Sequence, residues 1–171
     1  MGCWGVRAHE SDTGLDLLYA AVDKYVRGVK YKTFHVKHVM EIMKAHIVER
    51  FVKESCGWES EYIDFFYNYT YPYKFAHAVI IVAECIEEYR RNGKYFVYSS
   101  DTGRRRGIKE FIITREDLEM LRTELQALLD PKHCYYESWE RSDSFDEWKA
   151  HIQMLYDVLS QAISEGGDGD A

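Results

Sequence analysis

From Tyr73 to Gly93 the chain reads YKFAHAVIIVAECIEEYRRNG, and no other segment is apolar over so much of its circumference. At about 100° per residue, Phe75, Ala76, Ala78, Val79, Val82, Ala83 and Ile86 cover most of a helical surface. This predicts a central, largely buried helix. Tyr73, His77, Glu84 and Glu88 fall along one narrow polar stripe of it. Pro72 has the fixed φ that suits a helix start, and Gly93 stands where a left-handed stop is cheapest. Arg90 and Arg91 complement the dipole in the last turn. The apolar run Ala76 to Ile86 is only about half the ~20 residues that a membrane span requires, so a core helix is expected and no membrane partner.

A helix that must be covered on nearly all sides needs several others. The 171 residues fit one domain over residues 1–165, with Gly166-Gly167-Asp168-Gly169-Asp170 opening a flexible acidic tail, 166–171. Charged residues at 30% and aromatics at 15% are the composition of a globular protein, not a disordered one. Cys3, Cys56, Cys85 and Cys134 have no CxxC spacing, and no signal peptide precedes them, which points to reduced thiols and a cytoplasmic setting. A net charge of −7 argues against a dedicated nucleic-acid binder. The charge is uneven, with eight basic residues against two acidic ones from Lys24 to Lys53, and nine acidic against two basic from Tyr135 onward.

Helical spacing recurs along the chain. A capped helix is expected from Asp12 or Thr13 to about Arg27, followed by one over 33–56 with the apolar stripe Val36, Val39, Met40, Met43, Ile47 and Phe51. A helix over 58–68 is expected to turn Tyr62, Phe65, Phe66 and Tyr69 inward before a turn at Tyr71-Pro72-Tyr73. After the central helix the pattern becomes alternating. Residues 95–98 and 108–114 read as strands of an antiparallel hairpin whose loop, 99–107, carries Arg104, Arg105 and Arg106 as a candidate anion grip. Thr114-Arg115-Glu116-Asp117 is an N-cap signature for a helix through Leu118, Leu121, Leu125 and Leu128. Ser144-Phe145-Asp146-Glu147 begins the last helix, with Trp148, Ile152, Leu155, Val158, Leu159 and Ile163 inward. The expected fold is α+β and mostly α: about six helices around the central one, with a single antiparallel hairpin.

The opening residues Met1, Gly2, Trp4 and Gly5, followed by Asp12 and Asp16 at the first helix, resemble the bacterial family catalogued as domain of unknown function 4259. The likeness covers about a tenth of the chain. It implies a small, mostly helical, cytoplasmic bacterial protein and transfers no catalytic residue.

No phosphate-binding glycine loop and no nucleophile elbow is present, and Cys85 lies on the apolar side of the central helix as a small hydrophobe. One enzymatic reading survives. His38, His46 and Glu49 on the 33–56 helix, with His77 and Glu84 on the 73–92 helix, have the residue types of a zinc or other divalent-metal site between helices, which would serve a metal-dependent hydrolase. Against it, their order is His-x-x-Glu and occurs once. The leading expectation is a cofactor-free, non-enzymatic protein-interaction or regulatory module of an immunity-like kind, with Glu137, Glu140, Asp143, Asp146 and Glu147 meeting a basic protein partner.

Overall fold

The computed structural model describes residues 5–19, 33–54, 60–94, 96–99, 104–108 and 110–166. A short 3-10 turn, Ala8–Glu10, leads into α1 (Asp12–Leu17). Strand β1 (Thr33–His35) runs directly into α2 (Val36–Glu54). Then come α3 (Ser60–Phe65), a π turn (Phe66–Thr70) and α4 (Tyr71–Asn92). Strands β2 (Phe96–Ser99), β3 (Arg104–Gly107) and β4 (Glu110–Ile112) precede α5 (Arg115–Leu128), α6 (Cys134–Glu140) and α7 (Phe145–Gly166). Among the described residues no helix is long and apolar enough to cross a membrane.

Helix α4 is the axis of the fold. Every residue from Ala76 to Ile86 is buried except Glu84, which keeps slight exposure. Helices α1, α2, α5, α6 and α7 all pack on it, and Gly93 ends it at φ +62°. The cover is built from the stripes that periodicity marks. Val36, Val39, Met40, Met43 and Ile47 of α2 are buried, as are Leu118, Leu121, Leu125 and Leu128 of α5 and Trp148, Ile152, Leu155, Leu159 and Ile163 of α7. Together they form one hydrophobic cluster. Helix α5 starts with the expected reciprocal cap: Asp117 N–H donates to Thr114 Oγ1 at 3.1 Å, and Thr114 N–H donates to Asp117 Oδ2 at 2.9 Å. At α1 the cap is one residue earlier than expected, with Ser11 Oγ accepting from Gly14 N–H. Residues 20–27 of the expected helix lie outside the described residues.

The expected α+β arrangement with one antiparallel hairpin between 95–98 and 108–114 is corrected. Glu110–Ile112 pairs instead in parallel with Thr33–His35, in the register Thr33↔Glu110, Phe34↔Phe111 and His35↔Ile112. Packing explains the choice. Phe34 is fully buried and stacks on Phe111 at 4.5 Å, and Phe111 stacks in turn on Tyr89 of α4 at 4.6 Å. A partner more than seventy residues earlier thus anchors β4 to the central helix. Thr33–His35 is correspondingly strand, not the first turn of α2. Strand β2 has β3 as its antiparallel neighbour, from Phe96↔Gly107 to Ser99↔Arg104. Arg104, Arg105 and Arg106 therefore stand in strand backbone, not at a loop tip.

A second correction concerns the approach to α4. No turn forms at Tyr71-Pro72-Tyr73; the chain stays helical from Ser60 to Asn92. Tyr71 N–H donates to Phe66 O, five residues back, so the turn before Pro72 is widened to π form. A wide turn immediately ahead of a residue without an N–H lets the helix continue through it. The consequence is a rotated face: only Phe66 points inward, stacked on Phe51 at 3.7 Å, while Tyr62, Phe65 and Tyr69 are exposed rather than buried.

Candidate functional site

The polar stripe of α4 resolves into two separate nodes, because His77 and Glu84 are two turns apart, about 10 Å along the axis. At the first, His77 is 3% exposed. Its Nδ1 lies 3.1 Å from Tyr73 O, and since a carbonyl only accepts, Nδ1 carries the proton. Nε2 then presents a lone pair, 3.4 Å from the Tyr135 hydroxyl, whose ring packs edge-on to the imidazole. Burial pushes the His77 pKa down to about 4, outweighing the upward pull of the Tyr73 carbonyl and of Glu84. The ring is neutral at pH 7.

His77 and Tyr135 both line a small pocket of about 270 Å³, together with Gly5, Tyr73, Ser138, Trp139, Ser142 and Ser144. Helix α4 supplies its floor, α6 one wall, and the turn between α6 and α7 its rim. Ser138 donates to Tyr135 O at 2.6 Å, and Ser142 Oγ accepts from Ser144 N–H at 3.2 Å.

At the second node, Glu84 Oε1 lies 2.8 Å from His151 Nε2 of α7 and accepts from Ala8 N–H at 3.2 Å. Both side chains are about nine-tenths buried. Glu84 thus ties the N-terminal turn and the last helix to the axis of the fold. Glu84→Leu should lower the free energy of unfolding by about 1–3 kcal/mol, since two buried donors lose one acceptor. Glu84→Gln, which keeps a carbonyl oxygen there, should lower it less; urea titration of the two variants checks the order.

The metal candidates are distributed differently from what their spacing suggested. On α2, His38 and Glu49 are exposed and His46 is half-buried. His38 stacks on His35 at 4.3 Å. Among the described residues no group of three or more His, Cys, Asp or Glu side chains is gathered closely enough to hold a metal ion. Tyr135 and His151, which complete the two nodes, were not singled out as site residues. A signal existed for His151, which sits between Trp148 and Ile152 at the margin of the α7 stripe.

Two surface features remain. Glu137, Glu140, Asp143, Asp146 and Glu147 are all exposed, across α6, the following turn and the start of α7. Beside them runs an aromatic ridge: Tyr62 (55% exposed), Phe65 (58%) and Tyr69 (57%), with Phe65 stacked on Tyr69 at 5.3 Å. A cleft flanks the ridge on each side. One, of about 540 Å³, lies against Phe51, Glu61, Tyr62 and Phe66. The other, of about 510 Å³, lies against Tyr69, Tyr73, Cys134, Glu137 and Arg141. Phe65, Thr70 and Lys74 border both. Glu137 joins the acidic face to the ridge.

No protein-family model matches the chain, and neither the curated proteins nor the solved structures contain a match to it.

Proposed function

We propose that the chain is a non-enzymatic protein-interaction module, of a regulatory or immunity-like kind, that meets its partner with the aromatic ridge Tyr62–Tyr69 and the acidic face beside it. The observation that supports this is the exposure of the ridge. Three aromatic rings within eight residues, Tyr62, Phe65 and Tyr69, each leave more than half their surface in water, and such patches mark interaction sites on soluble proteins. Tyrosine and phenylalanine bring large, rigid contact area at low entropic loss. The partner that fits is apolar at its centre and basic at its edge, because Glu137 borders the ridge cleft and four further carboxylates lie beyond it. A cytoplasmic setting agrees with cysteines that lack pair spacing. The likeness of the opening residues to an uncharacterised bacterial family belongs to this proposal and supplies no activity.

The test is affinity capture from a bacterial lysate with the native chain and with a Phe65→Ser, Tyr69→Ser double variant. Both positions are solvent-exposed, so the variant should unfold at an unchanged denaturant midpoint. A hot-spot aromatic contributes about 2 kcal/mol or more on truncation, so with even one of the two a hot spot the variant should retain a partner at least ~30-fold more weakly. Association should slow as salt rises, and should lose that dependence when the five acids are neutralised. A partner held equally by both chains would refute the assignment of the ridge.

A further inference from the structure

The His77 pocket adjoins the ridge cleft, with which it shares Tyr73 and Ser138, but its chemistry is different. Tyr73, Tyr135 and Trp139 give it aromatic walls, the remainder is Gly5, His77 and three serines, and among the described residues its lining side chains are uncharged. The Glu10 carboxylate lies close against Gly5 and accepts from Arg7 N–H at 2.9 Å. In a protein of net charge −7, a pocket with an uncharged lining offers no counter-ion to a charged ligand. Its volume of about 270 Å³ holds several waters at about 30 Å³ each, or one small organic molecule.

The polar groups alternate in kind. His77 Nε2 can only accept, because Nδ1 is committed to the Tyr73 carbonyl. Ser138 has given its proton to Tyr135 O and so accepts. Ser142 already accepts from Ser144 N–H, which leaves its hydroxyl proton to donate. The group that both donates and accepts is the hydroxyl, and a molecule with several of them matches such a lining. The Tyr135 hydroxyl at 3.4 Å is at the far limit of hydrogen bonding to Nε2, so a ligand hydroxyl at normal distance would be the better partner for that lone pair.

We propose that this pocket is a binding site for a small uncharged polyol, of monosaccharide size or less, seated with one hydroxyl donating to His77 Nε2 and its carbon face against Tyr73 and Trp139. The site borders the ridge cleft through Tyr73 and Ser138 and stands whether or not that ridge binds a protein.

The experiment is nitrogen-15 NMR of the histidine side chains in the full chain at neutral pH, titrated separately with glycerol, D-glucose and myo-inositol. At least one should move the His77 Nε2 signal saturably, with a Kd of about 1 mM, the range open to so small a ligand. Ser142→Leu, at an exposed rim position, should fill the mouth and weaken that Kd by at least ~10-fold while the amide spectrum stays folded. D-gluconate and D-glucosamine, which add a charge of either sign, should shift the signal little. If none of the three polyols moves it, if Ser142→Leu leaves the shift unchanged, or if a charged analogue binds as tightly, the proposal is overturned.

Discussion

Replacing Trp148 with alanine should lower the free energy of unfolding by about 3–5 kcal/mol, the largest single effect expected in the chain. Trp148 is fully buried at the start of α7. Its indole lies parallel to that of Trp139 at 5.7 Å and within about 6 Å of Tyr135, Tyr136 and Phe145. Alanine would therefore lose the apolar burial, several aromatic contacts of about 0.5–1.5 kcal/mol each, and the close packing of α6 on α7. A second variant separates volume from polarity. Trp148 Nε1 is buried without a hydrogen-bond partner among the described residues. Trp148→Phe removes that unsatisfied donor along with part of the ring, so the two changes oppose one another and the net loss should be under about 1.5 kcal/mol. Urea unfolding with the slope held common to all three proteins gives both numbers. A Phe variant as damaged as the Ala variant would show that the indole edge, not aromatic volume, supports this corner.

The helices that can be read from the amino-acid order are those whose apolar residues recur at helical spacing between recognisable ends. Tyr71–Asn92, with Gly93 after it, and Arg115–Leu128, with Thr114 and Asp117 at its start, are of this kind. The outward Tyr62–Tyr69 face is not legible in the sequence because aromatic residues at helical spacing are usually core, and periodicity does not say which side of a helix meets the protein. That was decided by the π turn at Phe66–Thr70, which rotates one part of a continuous helix relative to the next. The parallel pairing of Thr33–His35 with Glu110–Ile112 had no local signal at all. Parallel neighbours are joined by long crossovers, and a three-residue strand ahead of a helix reads as its first turn. The polar stripe on α4 was legible as a set of residues but not as two nodes, because the partners that separate His77 from Glu84, Tyr135 and His151, come from α6 and α7.

The His77 node carries the second large effect, which appears only on acidification. The pKa of His77 is about 4 in the folded chain against 6.5 as its ordinary value, chiefly because burial disfavours the imidazolium. Between these values the unfolded chain binds a proton that the folded chain does not, so stability falls as pH drops from about 6.5 to 4 and this contribution levels off below. At 1.36 kcal/mol per unit, the loss across that window should be about 3 kcal/mol. His133 acts in the same direction, its pKa lowered by partial burial, so the wild-type slope alone does not isolate one residue. Subtracting the profile of a His77→Gln variant does. Glutamine can donate to the Tyr73 carbonyl and accept at the far side without titrating, so the variant should lose much less stability between pH 6.5 and 4 while His133 contributes equally to both. Urea titrations at half-unit intervals of pH give the difference curve. A difference that stays flat through this window would mean that His77 is hydrated and protonates in the folded chain nearly as it does in the unfolded one, and the neutral lone pair at the floor of the pocket would go with it.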